Sequence, residues 1–178
     1  MRLVALTIAV AALLSAAHVQ VSAAAELRAP GVQGPLGDEQ LSDERTVTRW
    51  AHAAERAAVR LAPRRGARRV GRLQYFTEDR LPEVYLVLES RRTGGAAWLR
   101  VRLPMRPNGR TGWVRAAALG PLQVVRTQLV VDRHALRATL YRAGRAIWNA
   151  PIGVGAPGTP TPAGRFYIRE LLRAPGGA

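Results

Sequence analysis

The 178 residues include no cysteine and no lysine, only 12 acids, and few aromatic side chains. Without cysteine the chain can form no disulfide, offers no thiol nucleophile, and has no thiol for attachment of a lipid after a leader. Without lysine every one of its 27 basic residues is an arginine, and the shortage of acids leaves a net charge of +15. Such a charge attracts polyanions of any kind, so nucleic acid, anionic lipid headgroups and acidic polymers all qualify on electrostatics alone. The arginines are scattered over the chain instead of forming one block, which is also the pattern of a solvated basic surface.

Long apolar runs are scarce too. One exists, Leu3 to Ala17, preceded by Met1-Arg2 and followed by the small residues Ser22-Ala23-Ala24-Ala25 before the first acid, Glu26. At about 15 residues it is shorter than the roughly 20 a membrane-spanning helix needs. A positive start, an apolar stretch and a small-residue site together read as a secretory signal peptide over residues 1–25, with cleavage after Ala23 or Ala25 fitting equally well. Export makes nucleic acid a poor partner and leaves no membrane segment once the leader is removed.

Histidine is equally sparse: His18, His52 and His134. His52 has no acidic or cysteine partner at ligand spacing, so no metal site is expected. His134 sits on a turn with no serine or cysteine placed by the local sequence, the setting of an exposed loop histidine more than of a general base.

What the chain has in quantity is turn chemistry, with 17 glycines and 12 prolines, which favours short strands over long helices. Residues 26–49, including RAPGVQGPLGDEQLSD, read as a flexible linker. From Ser42 to Leu61 two readings compete: Val47, Trp50, Ala51, Ala54, Ala58 and Leu61 recur at helical spacing, whereas Ala57–Pro63 and Arg69–Leu73 look like strands around a turn. The following stretch favours strands. Glu83–Ser90 (EVYLVLES), Trp98–Leu103 (WLRVRL) and Thr111–Arg115 (TGWVR) alternate, and Asn108-Gly109 between the last two predicts a type I′ hairpin turn. Five short strands in about 70 residues suggest a small barrel.

The segments VRLAP, RRVGRL and WLRVRLPMRPNGRTGWVRAAAL, over residues 50–119, resemble a bacterial SH3-like domain, with Ala58 standing where that family has asparagine. The resemblance implies wall targeting or a scaffold packed on a catalytic domain. In such a barrel Trp98 and Trp113 are more often core than ligand platform. Residues 120–127, with Gly120-Pro121, read as a second linker.

Residues 128–178 begin with a meander. Gln128–Val131, Arg137–Arg142 and Ala146–Ile152 are strands, Asp132–His134 and Ala143-Gly144 are their turns, and Val130, Leu140 and Ile147 are the expected core contacts. Gly153-Val154-Gly155-Ala156-Pro157-Gly158 matches G-x-G-x-x-G, but that fingerprint needs a helix to begin at once, and Pro157, Pro160 and Pro162 forbid one. No nucleotide cofactor is expected there, nor any other cofactor.

The segment VDRHALRATLYRAGRAIWNAPIGVGAPGTPTPAGRFYI resembles the opening half of an L,D-transpeptidase catalytic domain, whose pattern runs V-D…L-x-x-Y-x-x-G and then T-P-T-P-x-G-x-F-Y. The resemblance implies acyl transfer between stem peptides of peptidoglycan, with a cysteine thiolate as nucleophile, a histidine to activate it and backbone N–H donors for the oxyanion. In the family those groups sit in a histidine segment and an S-x-G-C-x-R box that these 178 residues lack. No catalytic residue therefore carries over, and the catalytic groups are expected downstream of Ala178. Thr159, Thr161, Pro162 and Gly164 match the motif and are expected to shape a loop beside the cleft. The expected partners are peptidoglycan stem peptides and anionic wall polymers, in the cell wall or outside the cell.

The fold class expected is therefore mainly β, a small SH3-like barrel followed by an incomplete L,D-transpeptidase-type β-sandwich that looks cut short and inactive as written. A sandwich cut after its third or fourth strand leaves unpaired edges and an exposed apolar face. The competing expectation is a non-enzymatic wall-binding protein with a vestigial second module.

Overall fold

The structure, a computed structural model, describes residues 36–172. The expected signal peptide, residues 26–35 of the expected linker and His18 lie outside the described residues, as do positions 173–178, the last of which is Ala178. The described chain is mainly β, as its alternation predicts, with eleven strands in two antiparallel sheets and a single turn of 3-10 helix, Ala116–Ala118.

The first sheet holds β1 (Glu39–Gln40), β2 (Thr48–Ala51), β3 (Ala58–Arg60), β4 (Arg69–Arg72), β5 (Tyr85–Thr93), β6 (Ala96–Arg102), β7 (Thr111–Arg115) and β8 (Gln123–Val125). Their order is β4-β3-β7-β6-β5-β2-β8, with β1 laid against β5. Alternation along β6 sends Leu99 and Val101 to a core shared with Val59, Leu73, Tyr85, Val87 and Val114. Trp98 and Trp113 go to a second buried cluster with Ala96. Both tryptophans are buried, and each is flanked by a guanidinium, Arg115 at 5.5 Å from the Trp98 ring and Arg91 at 5.3 Å from that of Trp113. Burying a side chain of this size is worth roughly 1.5–3 kcal/mol, so this core is the main stabilising feature of the described chain.

Of the two readings of Ser42–Leu61 the strand reading holds: Arg49, Trp50 and Ala51 pair with Val87, Leu86 and Tyr85, partners far along the chain that supply a ladder no local pattern reveals. Two linker expectations differ from the structure. The stretch read as flexible linker contributes β1 and the start of β2, and its Leu41 is fully buried. Ser42 is anchored as well, its hydroxyl donating to the Val87 carbonyl at 2.5 Å. Likewise β8 and the buried Leu122 lie inside the stretch read as the second linker, with β8 paired to β2.

The Asn108-Gly109 turn differs in type. Only Gly109 has positive φ, at 89°, and the connection closes wider, with the Leu103 N–H donating to the Arg110 carbonyl at 2.8 Å. The two-residue turns with positive φ at both positions lie elsewhere, at Gly94-Gly95 (57° and 69°) and at Ala143-Gly144 (49° and 78°).

The second sheet is the expected meander: β9 (Thr127–Asp132), β10 (Arg137–Arg142) and β11 (Arg145–Pro151), in the order β11-β10-β9. Its expected core does not form. Leu140 pairs with Leu129 and Trp148, whereas Val130 pairs with Thr139, one residue along and therefore on the opposite face. Ile147 falls at a bulge, where the register shifts between Leu140 and Tyr141. Ala138 is the one buried side chain of this sheet, and Val130 and Ile147 remain 40% and 46% exposed. No helix among the described residues is long and apolar enough to cross a membrane.

Candidate functional site

Beyond β11 the chain runs without helix or strand from Ile152 to Leu172, so Gly153–Gly158 has none of the helix that a dinucleotide site requires. The order in this segment comes from side-chain bonds and one backbone turn. The Thr161 hydroxyl accepts a hydrogen bond from the Gly155 N–H at 2.8 Å, and the Thr159 N–H donates to the Ala156 carbonyl at 2.9 Å. From the turn after β9, the Arg133 guanidinium donates to the Thr161 carbonyl at 2.8 Å. Gly164 takes φ 135°, a conformation that side-chain-bearing residues avoid.

Of the four residues expected to shape this loop, Thr159 and Thr161 make its internal bonds, Gly164 makes its bend, and Pro162 is exposed between them. One residue was missed. A Cβ at Gly155 would collide with the Thr159 carbonyl oxygen and lie 2.9 Å from the Thr161 nitrogen, so only glycine fits. The signal for it was present, as a glycine six residues before a threonine whose hydroxyl needs a donor, but nothing local shows that the two meet.

After the loop, the extended segment Arg165–Glu170 returns to the first sheet with alternate side chains turned toward it. The Tyr167 hydroxyl donates to the Val84 carbonyl at 3.2 Å, and burial is the main cause that pushes this phenol well above its usual range. Arg169 donates to the fully buried carboxylate of Glu83, at 2.6 Å through Nε and again through a second nitrogen, and bridges to Glu78 at 2.8 Å. Those bonds, Glu83 first, hold the guanidinium above even its ordinary value. A buried carboxylate is strongly unfavourable unless paired, so Glu83 and Arg169 depend on each other. Thr77 completes the contact by donating to Glu170 at 2.5 Å.

Neither described histidine joins this region as a base. The ring Nδ1 of His52 lies 2.8 Å from the Glu83 carbonyl oxygen, and its edge meets Trp50. His134 is exposed on the β9–β10 turn. There Asp132 accepts backbone N–H bonds from Ala135 and His134 at 2.9 Å each, which lower its pKa. No group of three metal-ligating side chains occurs among the described residues. The catalytic histidine and cysteine expected downstream of Ala178 have no counterpart in this site, whose described part ends at Leu172.

Residues 126–177 match the family model for the YkuD L,D-transpeptidase catalytic domain. No curated protein and no solved structure matches the chain. The match supports a relationship to the L,D-transpeptidases, a family that acts on peptidoglycan, for the part of the chain that holds the second sheet and the loop.

Proposed function

We propose that the chain serves peptidoglycan cross-linking as an exported, wall-associated member of the L,D-transpeptidase family. The observation that carries this reading is the coincidence of the family match with the loop built by Gly155, Thr159, Thr161 and Gly164. In this reading the first sheet is an SH3-like scaffold. Support comes from five strands, β3 to β7, in one unbroken run of neighbours, and from its role as the surface that receives Tyr167 and Arg169. The loop forms one wall of the cleft in which a stem peptide lies.

The reaction of the family is attack by a thiolate on the carbonyl between the third and fourth stem residues, loss of D-Ala, and transfer of the acyl group to an amine on a neighbouring stem. The 178 residues contain no cysteine. Their proposed share is therefore positioning and wall binding, without turnover of their own. An assay of the 178-residue chain on stem tetrapeptides tests this directly: no D-Ala release is expected, and release would overturn it.

The same lack of cysteine favours a second reading, a non-enzymatic wall-binding protein. Retention of the chain on purified peptidoglycan at low salt is expected in both. Retention by residues 36–125 alone, undiminished by loss of the loop, would favour the binder. A charge of this size makes some low-salt retention a minimum, and its complete absence would count against either reading.

A further inference from the structure

Between the β6–β7 connection and the extended segment after the loop lies a groove of about 290 Å3. Arg102, Arg106, Arg165 and Arg169 reach its walls, and no carboxylate lines it among the described residues. The nearby acids answer only part of this charge. Arg169 is fully engaged by Glu83 and Glu78, while Arg102 and Arg165 share one carboxylate, that of Glu44, at 2.8 Å and 3.6 Å. Arg106 has no ionic partner among the described residues. The Nε of Arg102 is buried with no acceptor, a second sign that this wall has a surplus of donors. Apart from Asn108 and Tyr167 the remaining lining is apolar, and Met105 and Phe166 stand 38% and 56% exposed at its rim.

We propose that this groove binds the free carboxylate end of a short peptide with small or apolar side chains. Guanidinium forks match the planar carboxylate in geometry and charge, and the apolar rim gives the adjoining side chains a dry contact. A hydrated phosphate polymer would make no use of Met105 and Phe166. The proposal does not rest on the acyl-transfer reading, because it needs neither a thiol nor a wall substrate.

Fluorescence anisotropy of the full chain with Ala-Ala-Ala labelled at its N-terminus tests it. Saturable binding is expected, weakened about tenfold or more when the C-terminus is amidated. Arg106→Ala and Arg165→Ala change exposed side chains and should each weaken binding several-fold, as should Phe166→Ala. Arg64→Ala, on the exposed β3–β4 connection, should leave binding unchanged. Equal binding of acid and amide would overturn the proposal, and so would loss of binding in Arg64→Ala as large as in Arg106→Ala, the mark of diffuse charge attraction. Displacement of the peptide by inorganic phosphate at peptide-like concentrations would overturn it in favour of a phosphate site.

Discussion

The two sheets are written in the same alternating code and end in opposite states. Around the first sheet thirteen buried side chains, from its strands and their connections, form one cluster, and β5 and β6 bury side chains on both faces. In the second, Leu129, Val131 and Trp148 share a face and are 57%, 43% and 51% exposed. The difference lies in what covers a strand and not in the strand itself. Val101 and Leu140 each occupy the middle of an alternating run, yet only the first has neighbours stacked upon it. Alternation thus specifies a half-buried strand without guaranteeing that the apolar half is covered.

This contrast can be broken or sharpened by substitution. The largest effect is expected at Leu99→Ala, which empties a core position and should cost about 2–5 kcal/mol in chemical denaturation, whereas Leu140→Ala, half-buried in the second sheet, should cost about 1 kcal/mol or less. Comparable losses at the two positions would mean that the second sheet is covered in solution. Next comes Glu83→Ala, which strands Arg169. A fully buried pair would lose roughly 3–5 kcal/mol, and the partial exposure of Arg169 reduces the expectation to about 2 kcal/mol. Cleavage by trypsin after Arg165 and Arg169 should accelerate sharply, and an unchanged cleavage rate would show that Arg169 does not hold the segment down.

Gly155→Ala should open the loop while leaving the denaturation midpoint of the first sheet within about 0.5 kcal/mol, because the clash is with the Thr159 carbonyl and not with the core. Loss of the Gly155 amide's protection from hydrogen exchange is the readout.

Asp43 offers a pH test of the stretch before β2. It accepts bonds from the Thr46 hydroxyl and from the backbone N–H groups of Arg45, Thr46 and Val47, which hold its carboxyl far below the ordinary range. The folded chain therefore binds that proton less readily than the unfolded chain. Its contribution is complete above the unfolded value of about 4 and drains away as pH falls toward the lowered folded value. The gap in denaturation midpoint between the parent chain and Asp43→Asn should hold constant from neutral pH to about pH 4 and narrow only below it. The smallest effect is expected for Trp148→Ser. It should change stability by about 0.5 kcal/mol or less and reduce self-association, since that ring faces solvent.

Much of the fold was legible because strands and turns are local. β3 to β7 and the β9–β11 meander follow from period-two patterns bounded by glycine-rich turns, and the loop motif was visible as a run of proline, threonine and glycine. The rest was hidden because its causes are distant. Leu41 and Ser42 read as linker because their neighbours are polar, but β5, more than forty residues on, gives them a buried seat. Asn108-Gly109 has the composition of a tight turn, yet the strands it joins end farther apart, so the chain closes wider. Arg169 looks like one more solvated arginine until the fold brings Glu83 beneath it.

By itself, the sequence determined the mainly β character, the placement of most turns, the excess of arginine over acid, and the lack of any thiol in these residues. Each is a property of single residues or of near neighbours. Only the tertiary structure decided which faces are buried, that Gly155 and Thr161 meet, that Glu83 receives Arg169, and that four arginines border one groove without a carboxylate. Those outcomes depend on register and on contacts across many residues, where burial and pairing energies outweigh local preference.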